Sequence, residues 1–177
     1  MPLEALHDLI PAYAVDISRN LETVLEESHL TEQQKWGCVL ASAHGLGVAP
    51  VVRAVEAEAA GRLSPEAISA AKSAAAIMGM NNVYFRALHI MTNPEYAGLP
   101  ARLRMSVNRN PGVERIDYEL WALAVSAVNG CGACLDAHEK TLRDHAVPAV
   151  GIQAALRIGA VIHAVSRIVA SETALAG

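Results

Sequence analysis

Apolar residues in this chain recur at three- and four-residue spacing on a background of alanine, and runs of β-branched residues are short. That spacing lines one face of an α-helix, and alanine loses least on entering one. The chain therefore reads as all-α, with helices expected over 3–10, 11–26, 32–46, 49–59, 65–79, 81–91, 116–128, 131–145 and 148–172. Helix-start signals agree: Thr31 with Gln34 has the form of a capping box, and Pro65 behind Ser64 fits the first position after an N-cap. Pro94, Pro100 and Pro111-Gly112 mark 92–115 as the longest non-helical connection, the seam between candidate halves 1–92 and 111–177 joined by 93–110. Placing 71–90 over 119–138 sets Met80-Asn81-Asn82 against Val128-Asn129-Gly130, so an internally duplicated helical hairpin is expected within a single domain, 1–177.

A chain of 177 residues can bury a self-sufficient core. Three cysteines, only two of them in paired spacing, do not make the even framework of a small secreted protein, and Met1-Pro2-Leu3-Glu4 lacks the basic and apolar regions of a leader. A reducing cytoplasm is the expected home, where paired cysteines serve redox chemistry or metal more often than scaffolding. Hydrophobic residues make up 53% of the chain, but the longest uncharged apolar stretch near the paired cysteines, 120–135, is interrupted by Asn129, Gly130 and Gly132. It is too short and too broken to span a membrane. A net charge of −4, scattered singly, and one Phe among the aromatics offer nucleic acid neither a basic stripe nor stacking platforms.

Thiols, an imidazole and a helix start converge at Cys131-Gly132-Ala133-Cys134, which is entered through Asn129-Gly130 and followed by His138. On a helix beginning near Cys131, the three side chains share one face within two turns. Thiol–disulfide chemistry is the leading reading, and it needs thiolate, which an ordinary thiol supplies sparingly at neutral pH. A helix terminus contributes about one pKa unit. His138 is therefore the natural base, with a carboxylate expected on its other ring nitrogen, and Glu119 is the candidate. In one continuous helix Glu119 would lie about 18 Å from Cys131. A reversal at Asn129-Gly130 into an αα-hairpin instead brings Glu119 and Trp121 to face 138–140.

A zinc site would have to recruit Cys38, His145 and His163 across the fold, and covalent haem attachment wants histidine where Leu135 stands. Cys38 reads as a core thiol, Glu139 as surface, and Met78, Met80 and Met91 as packing. Trp36 and Trp121 read as core or subunit-contact anchors.

Tyr118-Glu119-Leu120-Trp121, Ala124-Val125-Ser126-Ala127-Val128-Asn129-Gly130-Cys131, Cys134, Ala137-His138-Glu139 and Thr141-Leu142-Arg143 together resemble the AhpD family of alkylhydroperoxidases, of the carboxymuconolactone decarboxylase-like superfamily. Trp36-Gly37, Leu40-Ala41-Ser42-Ala43, Ala76-Ile77-Met78-Gly79-Met80-Asn81-Asn82-Val83, Leu103-Arg104-Met105 and Asn110-Pro111-Gly112 are similar to the actinobacterial form, so the resemblance spans nearly the whole chain. It implies an all-helical, internally duplicated subunit that assembles as a homotrimer. It also implies an antioxidant, lipoyl-dependent peroxidase with no bound cofactor or metal. The substrate implied is an organic hydroperoxide or hydrogen peroxide, and the peroxiredoxin AhpC is implied as a protein partner that receives electrons. Those electrons come from dihydrolipoamide on the lipoylated acyltransferase of a 2-oxoacid dehydrogenase complex. By the same resemblance Cys131 and Cys134 form the redox disulfide, Cys134 attacking and Cys131 resolving, while Glu119 and His138 relay a proton to Cys134. The family form compared carries a histidine immediately before the second cysteine, where this chain has Ala133, so weaker cysteine activation is expected.

Two other functions compete. A carboxymuconolactone decarboxylase-like lyase would work on a lactone by acid–base chemistry and leave the cysteines idle. A non-enzymatic redox-sensing module would form the disulfide without repeated turnover.

Overall fold

The computed structural model describes residues 3–176, and eight α-helices and no strand lie among them. They are α1 (Glu4–His7), α2 (Val15–Leu25), α3 (Glu32–Leu46), α4 (Ala49–Ala59), α5 (Pro65–Ile90), α6 (Arg115–Val128), α7 (Gly132–Asp144) and α8 (Ala149–Ala176). Met1, Pro2 and Gly177 lie outside the described residues, and with them part of the start read for a leader. The expected caps form. Thr31 Oγ1 accepts from the Gln34 N–H at 3.2 Å while Gln34 Oε1 accepts from the Thr31 N–H at 3.1 Å, opening α3. Ser64 Oγ accepts from the Ala67 N–H at 3.1 Å, with Pro65 leading α5.

α3 is the central helix: it packs against α4, α5, α6 and α8, and 35–43 is buried without interruption. α6 lies against it and also touches α5, α7 and α8. The α3–α6 contact needs a missing side chain, because a Cβ on Gly37 would stand 2.0 Å from the Trp121 ring. That indole donates from Nε1 to the Gln34 carbonyl at 3.1 Å. Both Trp36 and Trp121 are core residues, 1% and 0% exposed. Trp121 therefore faces α3, not 138–140: residues two apart on a helix point to different sides, so Glu119 and Trp121 cannot share a partner.

Four expectations shift by more than a residue, one of them α8, read as 148–172 and found at Ala149–Ala176. Segment 3–10 yields only the short α1, and 11–26 opens with a 3-10 turn, Ala12–Ala14, before α2. The larger correction is α5, expected as two helices over 65–79 and 81–91 but continuous from Pro65 to Ile90. Asparagine breaks helices when its side chain competes for the local backbone. Here Asn82 is fully buried, and its amide donates to Ser126 Oγ at 2.9 Å and accepts from Asn129 Nδ2 at 3.0 Å. With those partners on α6 and its C-cap it does not compete for the backbone of its own helix. Segment 71–90 is thus one continuous helix where 119–138 turns back on itself, so the two aligned pieces do not share a hairpin.

Between α5 and α6 the chain makes 3-10 turns at Tyr96–Gly98 and Ser106–Arg109 and is tied back by a 2.9 Å hydrogen bond from Tyr118 Oη to Asn108 Oδ1. α8 is long and apolar enough to cross a membrane, yet half of its most apolar window is buried. It packs on α2, α3 and α6, and Gly159 lets it approach the Ala124 carbonyl so closely that a Cβ would lie 3.0 Å away.

Candidate active site

The reversal between α6 and α7 is a Schellman ending. Gly130 takes φ +66°, its N–H donates to the Ala127 carbonyl at 3.1 Å, and the Cys131 N–H donates to the Ser126 carbonyl at 3.1 Å. Cys131 is at once the residue that completes this ending and the N-cap of α7, its Sγ accepting from the Cys134 N–H at 3.3 Å. The turn is fastened from outside. Arg86 Nη1 donates to the Asn129 carbonyl, and Asn82 holds both Asn129 and Ser126.

Cys131 and Cys134 are joined by a disulfide, with Cα atoms 5.3 Å apart. Their exposures differ: Cys131 is sealed at 0%, while Cys134, at 7%, lines a cleft of about 210 Å³. Met78, Asn81 and Phe85 of α5 form one wall and Ala133, Cys134, Ala137 and His138 of α7 the other. The Asn81 carbonyl oxygen is 4.0 Å from Cys134 Sγ, and Asn81 Oδ1 is buried with no hydrogen-bond partner among the described residues.

His138 completes the hairpin contact. Its Nδ1 lies 2.7 Å from Glu119 Oε2, and Glu119 Oε1 accepts from Arg115 Nε at 2.7 Å. Burial of the carboxyl favours its neutral form, but His138 and Arg115 outweigh that and hold its pKa below the usual 4.5. A charged Glu119 requires the hydrogen on Nδ1, which leaves Nε2 as the working nitrogen. Nε2 points along the cleft wall, 3.3 Å from Met78 Sδ.

The likeness to known proteins is extensive. Alkyl hydroperoxide reductase AhpD of Hyphomonas neptunium is 61% identical over 176 residues, covering 99% of this chain and 98% of the relative. The proteins of the same name from Maricaulis maris and Streptomyces avermitilis are 51% identical over 173 residues and 52% over 176 residues, each over at least 98% of both chains. The chain belongs to the AhpD family. The family model described as Carboxymuconolactone decarboxylase family matches residues 94–176, the part that carries the hairpin and α8.

Cys131, Cys134, His138 and Glu119, named from the sequence as the family site, are brought together by the turn, and Ala133 lies in the cleft wall where the compared family form has histidine. Cys38 is fully buried in α3, its thiol pKa pushed up by burial and by the nearby Asp117 carboxylate. Cys38, His145 and His163 do not join the pair: among the described residues no three His, Cys, Asp or Glu side chains gather as metal ligands. His145 caps α7, its Nδ1 at 2.8 Å from the Thr141 carbonyl. Glu139 is exposed. The sequence reading missed the contribution of α5: Met78, Asn81 and Phe85 in the cleft, Asn82 and Arg86 on the turn. The only signal was two adjacent asparagines inside an otherwise apolar helical run.

Proposed function

We propose that this protein is a thiol-dependent hydroperoxide reductase whose Cys131–Cys134 pair cycles between dithiol and disulfide. The observation that carries the reading is the pairing of one sealed and one cleft-lining sulfur on the same wall as an imidazole backed by a carboxylate. In the reduced state His138 Nε2 takes the Cys134 proton. The thiolate attacks the distal oxygen of the hydroperoxide, the O–O bond breaks, and His138 returns the proton to the departing alkoxide. Asn81 Oδ1, buried without a partner among the described residues, offers an acceptor to the hydroperoxide O–H. Cys131 then displaces water from the Cys134 sulfenic acid, so that dithiol and hydroperoxide become disulfide, alcohol and water.

The return half of the cycle follows from exposure. An incoming dithiol reaches Cys134 Sγ and not the sealed Cys131, so the mixed disulfide forms at Cys134 and Cys131 leaves as a thiolate at the N-terminus of α7. Dihydrolipoamide on a lipoylated acyltransferase is the proposed donor, and the peroxiredoxin AhpC the proposed protein acceptor. The cycle asks for no bound nicotinamide, flavin, haem or metal, and for a compartment that keeps dithiols reduced, the cytoplasm. Ala133 supplies no proton where the compared family form has histidine, which leaves activation to His138 and the helix terminus.

Hydroperoxide consumption with dihydrolipoamide as reductant tests the reading. Cys131→Ser and Cys134→Ser abolish turnover, and His138→Gln lowers it by roughly 10²–10⁴-fold. Unimpaired Cys134→Ser overturns the mechanism. Disulfide formation without repeated turnover favours a redox sensor instead, and lactone consumption that survives in Cys134→Ser favours a lyase.

A further inference from the structure

Met78 is the one oxidisable side chain of the cleft wall that the cycle does not use. Its sulfur lies 3.3 Å from His138 Nε2 and 3.8 Å from Asn82 Nδ2, and the residue is 1% exposed, so an oxidant meets it only from the cleft. When the cysteines are bonded to each other no thiolate remains, and the next nucleophile a hydroperoxide encounters there is this thioether.

We propose that Met78 is a modification site at which hydroperoxide entering the disulfide form switches the enzyme off. The inference rests on the hydroperoxide reductase reading, since it needs that substrate in the cleft. A lone pair of Met78 Sδ attacks the distal peroxide oxygen; the S–O bond forms and the O–O bond breaks. The sulfur loses two electrons, the hydroperoxide becomes alcohol, and the hydroxysulfonium proton goes to the departing alkoxide, leaving methionine sulfoxide. A thioether is a weak acceptor and a sulfoxide a polar one. The new oxygen therefore accepts from the Asn82 amide that already faces the sulfur and stands against the lone pair of His138 Nε2, so that His138 can no longer serve Cys134.

The disulfide form, without reductant, is incubated with cumene hydroperoxide, its methionines are mapped by mass spectrometry, and turnover is then measured with dihydrolipoamide. The expected result is that Met78 gains oxygen ahead of Met91, although Met91 is 45% exposed, and that activity is lost in step. Met78→Leu, close in volume, loses its own starting rate at least about tenfold more slowly than the wild type loses its own. Unmodified Met78 after activity has gone, or equal inactivation of Met78→Leu, overturns the inference. The untreated protein is assayed alongside: turnover there, with Met78 still unmodified in the treated sample, contradicts this inference alone, whereas absent turnover in the untreated protein contradicts the hydroperoxide reductase reading as well.

Discussion

Glu119 decides how His138 works, because a carboxylate 2.7 Å from Nδ1 fixes both the ring and the position of its proton. Glu119→Gln keeps the shape and removes the charge. Turnover is expected to fall roughly 10²–10⁴-fold, because a neutral amide no longer holds the imidazole in the Nδ1–H tautomer that leaves Nε2 free. The same carboxylate leaves a mark on stability. Its pKa is lower in the folded protein than the ordinary 4.5, so the unfolded chain binds the proton first on acidification. The contribution is present above pH 4.5 and fades as pH falls through the depressed value. Denaturant titrations should therefore show wild type and Glu119→Gln differing at neutral pH and converging below that point; a constant gap contradicts the assignment. Cys131, Cys134, His138 and Glu119 were legible because all four lie within one hairpin, where spacing and a glycine turn bring them together. Met78, Asn81, Asn82 and Arg86 sit on α5, and nothing local says which helix will lie beside the turn.

Two helix endings show how elements place the chemistry. Gly130 gives the end of α6 its left-handed residue without strain, and the same Schellman pattern ends α7, where Ala146 donates to the Arg143 carbonyl at 2.9 Å and Val147 to the Leu142 carbonyl at 3.0 Å. At α7 the left-handed position, φ +61°, is occupied by alanine. Ala146→Gly is expected to raise the unfolding free energy by about 1 kcal/mol, because the left-handed strain of a Cβ is worth about 1–2 kcal/mol and glycine's extra chain entropy takes part of it back. Chemical denaturation reads this directly, and unchanged or lowered stability contradicts it. Turns were readable at this scale because glycine and proline act locally. The continuity of α5 was not, because it depends on Asn82 finding partners on α6, far along the chain. The side that Trp121 faces was likewise set by tertiary contact, the space Gly37 leaves on α3.

At the scale of the molecule, the all-helical class followed from the periodicity of the whole chain, while the way copies meet does not follow from it. Val83, Ile90 and Met91 on and just after α5, with Tyr96 and Leu99 in the next connection, are large apolar side chains 43–70% exposed. Side chains of this kind are what a contact between copies would bury, and the resemblance to the family implies an assembly of three. Light scattering should give three times the 18.7 kDa chain mass, with Ile90→Lys shifting it downward; a wild type at the single-chain mass contradicts the assembly. The central claim is that two sulfur atoms, Cys131 and Cys134, carry the electrons. Fully reduced protein, given one equivalent of an organic hydroperoxide without other reductant, should yield one alcohol and lose two thiols per chain. Peptide mapping should then link Cys131 to Cys134 and find Cys38 still free. An absence of alcohol, or thiol loss at Cys38 with the pair still reduced, contradicts the account.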